Sequence, residues 1–333
     1  SYTIAPRRIF APTNQTIPGS LEYTTIVSAN PSAEVTLSGL SDYHRMGEKM
    51  EGLTVRINSA NRWTLVDEPD FTGNSRDDMR AGFPSVDMHG KHTLLVCAFN
   101  LEYYLVENIG TGFGPDDSSE SQRQHAKIMD ALEHINADIY GFVEIEQGQA
   151  ALHKLATSLT AATGHKYSYI DDGGSSYGSY TKSGYVYCSD KVAPYGNLYS
   201  NETGVSHRKK LMAFTELSSG ERFIFSLNHF KAKSGTGSGD DADQGDGQGT
   251  FNASRIREAQ SVLASYNNRK NYYEDEDILI MGDLNAYAKE DPIRVFTDNG
   301  MTDLHRYFHA DTSYSYVFHD QAGYLDHAIA NST

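Results

Sequence analysis

Only two cysteines occur in 333 residues, and no apolar run approaches the roughly 20 residues of a membrane span. Cys97 and Cys188 each sit in an apolar, strand-like run, so they read as buried thiols, with a Cys97–Cys188 disulfide left open. Positive charge is also short. Lys and Arg number 28 against 44 Asp and Glu, giving a formal net charge of −16. That balance argues against a protein that grips nucleic acid by bulk electrostatics, though not against an enzyme that touches phosphates locally through cations. The opening Ser1-Tyr2-Thr3-Ile4-Ala5-Pro6-Arg7 lacks the apolar h-region of a signal peptide, so the chain is read as starting at a processed or trimmed end. What is abundant is tyrosine (22) and glycine (29), a composition that fits a protein secreted by, or held on the surface of, a bacterium.

Residues 1 to about 20 read as an irregular lead-in broken by Pro6, Pro12 and Pro18. Alternating segments at Tyr23–Val27, Ala33–Leu37 and Leu53–Ile57 predict short strands, and the aperiodic stretch from Asp67 to Gly90 is the linker candidate. Thr93–Phe99 predicts a buried strand leading into Asn100-Leu101-Glu102. A helix over 119–137, capped by Ser118 or Ser119, carries Ile128, Leu132 and Ile135 on one face. Asp138 to Glu144 predicts the next strand, and residues 149–163 a second helix stopped by Gly164. Strands follow at Gly184–Cys188, Leu211–Phe214 and Arg222–Leu227. A third helix is expected from Ala253 to about Asn268, capped by Asn252, and a short fourth with Asp291 as cap and Pro292 at its first position. Ser315–Phe318 and Leu325–Ala330 close the chain as strands. Many strands follow one another with no helix between, which favours an α/β sandwich, two mixed sheets face to face with helices outside, over a doubly wound sheet.

The centre of the pattern is Ile278-Leu279-Ile280-Met281-Gly282-Asp283-Leu284-Asn285-Ala286. Four apolar residues read as a strand buried on both faces, and Gly282 lets the chain turn tightly as it leaves the sheet. In a strand-like continuation Asp283 and Asn285 would share a side. Similar strand ends deliver Asn100, Glu144, His229 and Asp326. Each alone is more often a turn or cap residue. Together, at the strand ends where α/β sheets place ligands, they point to a divalent cation with oxygen ligands: Mg²⁺, Mn²⁺ or Ca²⁺ rather than zinc.

These residues resemble the signatures of the endonuclease/exonuclease/phosphatase superfamily, the deoxyribonuclease I-like fold. They are Ala98-Phe99-Asn100, Asp138-Ile139-Tyr140-Gly141-Phe142-Val143-Glu144, Asn228-His229 and Gly282-Asp283-Leu284-Asn285. The run Asn228-His229-Phe230-Lys231-Ala232-Lys233, the Gly239–Gly249 loop, Ser315–Phe318 and Gly323–Ala328 are similar to bacterial secreted nucleases. The resemblance covers about residues 92–330, with only Met50–Val55 matching loosely before it. It implies an α/β fold, a four-layer α/β/β/α sandwich over 91–333, with a small β-rich segment and linker over 1–90. In that family a Ser-Asp-His follows the Leu325-Asp326 motif. None follows here before Thr333, so the C-terminal part of the domain is read as lying outside this chain, with an unpaired sheet edge in its place. His327 is expected to turn away from the pocket.

The resemblance further implies a metal-dependent phosphodiesterase, a secreted nuclease with DNA, or RNA, as its partner and substrate. Glu144 and Asn100 would hold Mg²⁺ or Mn²⁺, with Glu102 contributing through water. Asp283 would orient or deprotonate the attacking water, Asn285 bond a phosphate oxygen, and His229 protonate the leaving oxygen. Asp326 would fix the tautomer of the histidine this chain lacks. Arg208, Lys209, Lys231 and Arg255 are candidate phosphate contacts, against the commoner alternative of solvated surface charges. Asp240, Asp241, Asp243 and Asp246 in the Gly239–Gly249 loop could hold Ca²⁺ or simply form a solvated acidic loop. The same core would serve a phosphoesterase of phospholipid or sugar phosphate, and a non-catalytic surface-binding module would also account for the absent histidine motif.

Overall fold

The computed structural model describes residues 1–41, 48–72, 94–173, 180–201, 209–310 and 313–331. The chain opens with β1 (Tyr2–Ile4), α1 (Pro12–Gln15), α2 (Leu21–Ala33), β2 (Val35–Ser38), β3 (Lys49–Glu51), β4 (Thr54–Ser59), β5 (Arg62–Asp67) and β6 (Asp70–Thr72). A four-stranded sheet has the order β1-β2-β5-β4, and β3 pairs with β6. Three expectations fail here, the first being the irregular lead-in, since β1, paired with β2, and α1 lie within residues 1–20. Tyr23–Val27 is helical, because Ser20 Oγ accepts the Tyr23 N–H at 3.0 Å and starts a helix that the local β-branched run does not prevent. The linker candidate begins with the strand β6, and its part beyond residue 72 lies outside the described residues. The lead-in is tied to the far end of the chain. The Ala11 N–H donates to the Ala322 carbonyl (2.9 Å), the Ala322 N–H to the Ile9 carbonyl (2.8 Å), and Thr13 Oγ1 to Glu290 (2.8 Å).

The larger part runs β7 (Val96–Tyr104), α3 (Ser118–Ile135), β8 (Ile139–Glu146), α4 (Ala150–Thr163), β9 (Tyr167–Tyr169), β10 (Thr181–Cys188), β11 (Val192–Asn201), β12 (Lys209–Glu216) and β13 (Arg222–His229). It continues through α5 (Asn252–Tyr273), β14 (Ile278–Asp283), α6 (Asp291–Thr297), β15 (Thr302–Asp303), α7 (Leu304–His309), β16 (Tyr316–Phe318), β17 (Gln321–Gly323) and β18 (Asp326–Ala330). One sheet is ordered β7-β8-β10-β9 and the other β11-β12-β13-β14-β18-β15. Ile128, Leu132, Leu152, Leu155 and Leu159 of α3 and α4 pack on one face of the first sheet. Ala259, Val262 and Tyr266 of α5 and Ile293 and Phe296 of α6 pack on one face of the second. Between the sheets lie Ile139, Val143, Tyr185, Met212, Phe214, Phe225 and Leu227. The result is the expected four-layer α/β/β/α sandwich.

Two details set the sheet spacing. Gly141 lies where a Cβ would come within 2.7 Å of both Leu227 Cδ1 and Phe225 Cζ, so the sheets meet over a missing side chain. The Tyr185 hydroxyl, fully buried, reaches across to the carbonyls of Lys210 (2.7 Å) and Phe225 (2.9 Å). Burial raises its pKa far above the ordinary tyrosine value, so it remains a neutral donor.

Helix ends differ from expectation by a residue or more. The α3 cap is Asp117, whose Oδ1 accepts the N–H groups of Ser119 and Glu120. Helix α5 starts at Asn252 with no cap from its own flank, and runs on to Tyr273. Asp241, from the Gly239–Gly249 loop, accepts the Ser254 N–H at 2.7 Å instead. Helix α6 is flanked by Glu290, leaving Asp291 inside. Strand β18 is not at an edge, because β15 pairs with it through Thr302↔Ala330 and Asp303↔Ile329. Both thiols are free, so the disulfide is not formed. Among the described residues, no helix is long and apolar enough to cross a membrane.

Candidate active site

The cleft lies where the C-terminal ends of β7 and β8 meet those of β13 and β14. Strand pairing places His229 beside Asp283 and Asp283 beside Asp326, three site residues in a row across β13, β14 and β18. The close approach of β13 and β14 requires glycine at 282. Its φ is +125°, and a Cβ there would lie 2.0 Å from the Asn228 carbonyl oxygen.

Asn100 links the two sheets. Its Nδ2 donates to Asp283 Oδ2 (3.1 Å) and Glu144 Oε1 (3.3 Å), while its Oδ1 accepts the Glu102 N–H (2.9 Å). The amide therefore holds two carboxylates from opposite sheets together, and the oxygen it could offer a cation faces the Glu102 backbone. Nε2 of His229 is 3.6 Å from Glu144 Oε1. The other Asp283 oxygen accepts the Asn285 N–H at 2.9 Å. Glu102, Tyr103, Glu144 and Asn285 all have φ between +48° and +57°, left-handed backbone that costs about 1 kcal/mol or more each and clusters at functional sites.

Burial and then the neighbouring Glu144 charge push the Asp283 carboxyl up to about 6, despite the hydrogen bonds from Asn285 and Asn100. Asp326 is raised by burial and by Asp283. Nearby histidines, His327 beside both carboxyls and His305 beside Asp326, only partly offset this crowding. An all-oxygen set built on Glu144 and Asp283 matches a hard divalent ion such as Mg²⁺.

Asn100, Glu144, His229, Asp283 and Asp326 are thus brought together, as the sequence led us to expect. Other candidates fare differently. Asn285 does not continue the strand. It turns into the left-handed region and donates Nδ2 to the Phe230 carbonyl (3.0 Å), bracing the loop after His229. Glu102 is exposed, with its N–H on Asn100. Arg255 is fully buried and donates to the carbonyls of Lys231 (3.2 Å), Thr250 (2.9 Å) and Gln248 (2.8 Å), so it is a scaffold residue and not a phosphate contact. Lys209 is buried with its ammonium on Ser261, and burial lowers its pKa to about 8. The Lys231 ammonium lies 4.5 Å from the Phe251 ring centroid. Arg208 lies outside the described residues.

His327 is buried and turned out of the cleft, with Nε2 donating to the Ala286 carbonyl at 2.8 Å. In the acidic loop, Asp241 caps α5, Asp243 accepts the Gly245 N–H and Asp246 the Gln248 N–H. These carboxylates serve backbone amides, and among the described residues they do not converge as a ligand set.

Two features were missed. Glu146, fully buried two residues after Glu144, accepts the N–H groups of Val106, Glu107 and Asn108 at 2.7–3.1 Å and fixes the loop after β7. The Glu-Ile-Glu spacing was its only signal. Asp172 pairs with the buried Lys182 (2.7 Å) and Lys210, beside β8 and β13 respectively. The sequence distances involved left no local sign of this cluster.

A family model described as the endonuclease/exonuclease/phosphatase family matches residues 97–333. No curated protein sequence matches the chain. Among similar solved structures is an endonuclease/exonuclease/phosphatase from Bacteroides vulgatus, 17% identical, covering 70% of this chain and 85% of its own, with a TM-score of 0.49. A mannosyl-6-phosphatase from Bacteroides thetaiotaomicron is 16% identical over 72% of this chain and 85% of its own, with a TM-score of 0.47. The human Nocturnin catalytic domain with bound sulfate is 13% identical over 63% and 75%, with a TM-score of 0.46.

Proposed function

We propose, from the premise that this chain belongs to the endonuclease/exonuclease/phosphatase family, that its cleft hydrolyses phosphodiesters of nucleic acid, DNA foremost, with a divalent cation. The family membership itself makes it a phosphoesterase-type hydrolase. The observation that carries the finer reading is the Asn100 bridge, which sets Glu144 and Asp283 from opposite sheets into one cleft beside His229.

Glu144 is the anchor for Mg²⁺ or Mn²⁺, with Asp283 facing the same space. When bound, the ion supplies charge stabilisation at a phosphoryl oxygen. Asp283, with its raised pKa, accepts the proton of the attacking water, and the Asn100 and Asn285 N–H groups fix the direction of its two oxygens. His229 delivers a proton to the leaving oxygen. Asn285 has one amide N–H left for a phosphate oxygen after its bond to Phe230. Asp326, one strand over from Asp283, raises the negative potential of the cleft. A secreted or cell-surface location in a bacterium accompanies this reading, on composition.

The test is plasmid nicking with Mg²⁺, repeated with EDTA and with Glu144→Gln, beside a phospholipid and a sugar phosphate. Nicking abolished by both EDTA and Glu144→Gln supports the proposal. Hydrolysis of only the lipid or the sugar phosphate overturns the choice of substrate, and full activity of Glu144→Gln at saturating Mg²⁺ overturns the metal assignment.

A further inference from the structure

At the other end of β10 from the cleft, a second group of ligating side chains converges. Thr181, the first residue of β10, pairs with Glu146 near the cleft, and Cys188 ends the strand seven residues later, roughly 23 Å away at about 3.3 Å per residue. There, one ligand atom each from His165, Cys188 and Asp190 lies within 4.8 Å of the other two. We propose that these three residues form a zinc site, separate from the oxygen-lined cleft and different in chemistry.

The scaffold under the three residues is locked. Gly164 ends α4 in the left-handed conformation, and the His165 N–H donates to Thr163 Oγ1 (3.2 Å). Strand β9 pairs with β10 through Tyr167↔Cys188, which brings the entry of β9 beside the end of β10. The Ser189 N–H donates to the Lys166 carbonyl (2.7 Å), and the Lys166 N–H donates to Asp190 Oδ2 (2.8 Å). That last bond orients Asp190 in the manner of the outer-shell partners that aim metal ligands. Buried Cys188 forms the floor, while exposed His165 and Asp190 stand on the solvent side, so an ion can enter directly. The nearby cation, Lys191, is paired with Asp138 at 2.6 Å.

One sulfur, one imidazole and one carboxylate suit Zn²⁺ and leave a fourth tetrahedral position to water. The thiol binds as thiolate, its proton passing to solvent. Bound there, the ion staples the end of α4 to the turn joining β10 and β11.

The experiment uses the full chain carrying Glu144→Gln, so that the cleft contributes little binding. Equilibrium dialysis against zinc is expected to give one ion per chain, with a raised thermal midpoint. Cobalt(II) is expected to give a thiolate-to-metal band in the near ultraviolet, a signature that an oxygen-lined cleft does not produce. His165→Ala and Asp190→Asn, both at exposed positions that leave folding intact, should each weaken zinc at least about tenfold. Cys188→Ser should abolish the band. Absence of the band in the parent chain, or zinc binding unchanged in His165→Ala, overturns the site.

Discussion

Gly141 offers a sharp test of how the cleft is held. A Cβ there would sit 2.7 Å from both Leu227 Cδ1 and Phe225 Cζ, and both of those side chains are fully buried. Gly141→Ala should therefore cost about 1–3 kcal/mol as overpacking, offset by about 0.5–1 kcal/mol from the alanine's smaller entropy loss in a strand. The net loss of about 1–2 kcal/mol corresponds to a fall of roughly 1.5–3 °C in Tm for a chain of 333 residues. Glu144 lies three residues further along β8, and His229 two residues beyond Leu227, so separating the sheets moves both. The rate constant should fall even at temperatures where the variant is fully folded. Leu227→Ala removes one of the two atoms being struck, the other being Phe225 Cζ. Alone it should cost about 2–5 kcal/mol, and combined with Gly141→Ala the total should be at least ~1 kcal/mol less than the sum. Thermal and urea unfolding of the four proteins of this cycle measures the coupling. Additivity within about 0.5 kcal/mol would refute the argument that the missing side chain sets the sheet spacing.

Asp283→Asn keeps the size and one accepting oxygen, loses one of the two N–H bonds from Asn100 and Asn285, and removes the proposed base, so the rate constant should drop far more than apparent affinity; an equal loss in affinity with turnover preserved would reduce the residue to positioning phosphate. Arg255→Met should lower stability by about 3 kcal/mol, since three carbonyls lose their donor, while KM in the surviving folded protein stays unchanged; a raised KM would return it to the substrate. For Asp172, burial raises the carboxyl, but Lys210 and Lys182 together outweigh it and bring the pKa to about 2 from an ordinary 3.8. A depressed folded pKa gives stability that is present above pH ~4 and lost as pH falls towards 2, on the order of 2 kcal/mol. Urea unfolding across that window should show this slope, and it should flatten in Asp172→Asn.

The core of the fold was legible because its signals are local and redundant. A continuous apolar run into Gly282-Asp283 can hardly be other than a buried strand leaving a sheet, and His229 ends β13 in the same way, whereas β7 and β8 run on past Asn100 and Glu144. The errors arose where a distant partner decides. Tyr23–Val27 is β-branched enough to read as a strand, yet it lies in a helix begun by Ser20. Arg255 reads as one more charge on a polar helix, and only the fold brings the Lys231, Thr250 and Gln248 carbonyls around it. Asp241 looks like part of an acidic loop, and its use is to cap a helix that begins eleven residues later. Asn285 was judged by the period-two rule of a strand, but the chain has already left the sheet at that point.

The row formed by His229, Asp283 and Asp326 has a consequence of its own. These residues are neighbours because three strands align at one register, and a slip of a single residue would send Asp283 to the opposite face of its sheet. The chemistry is therefore written into the alignment of the sheet, and the loops above only frame it. Such a centre cannot be half-built. Loops above it can be lengthened or exchanged without disturbing the alignment of these three side chains, whereas a misaligned sheet, however compact, would lose it.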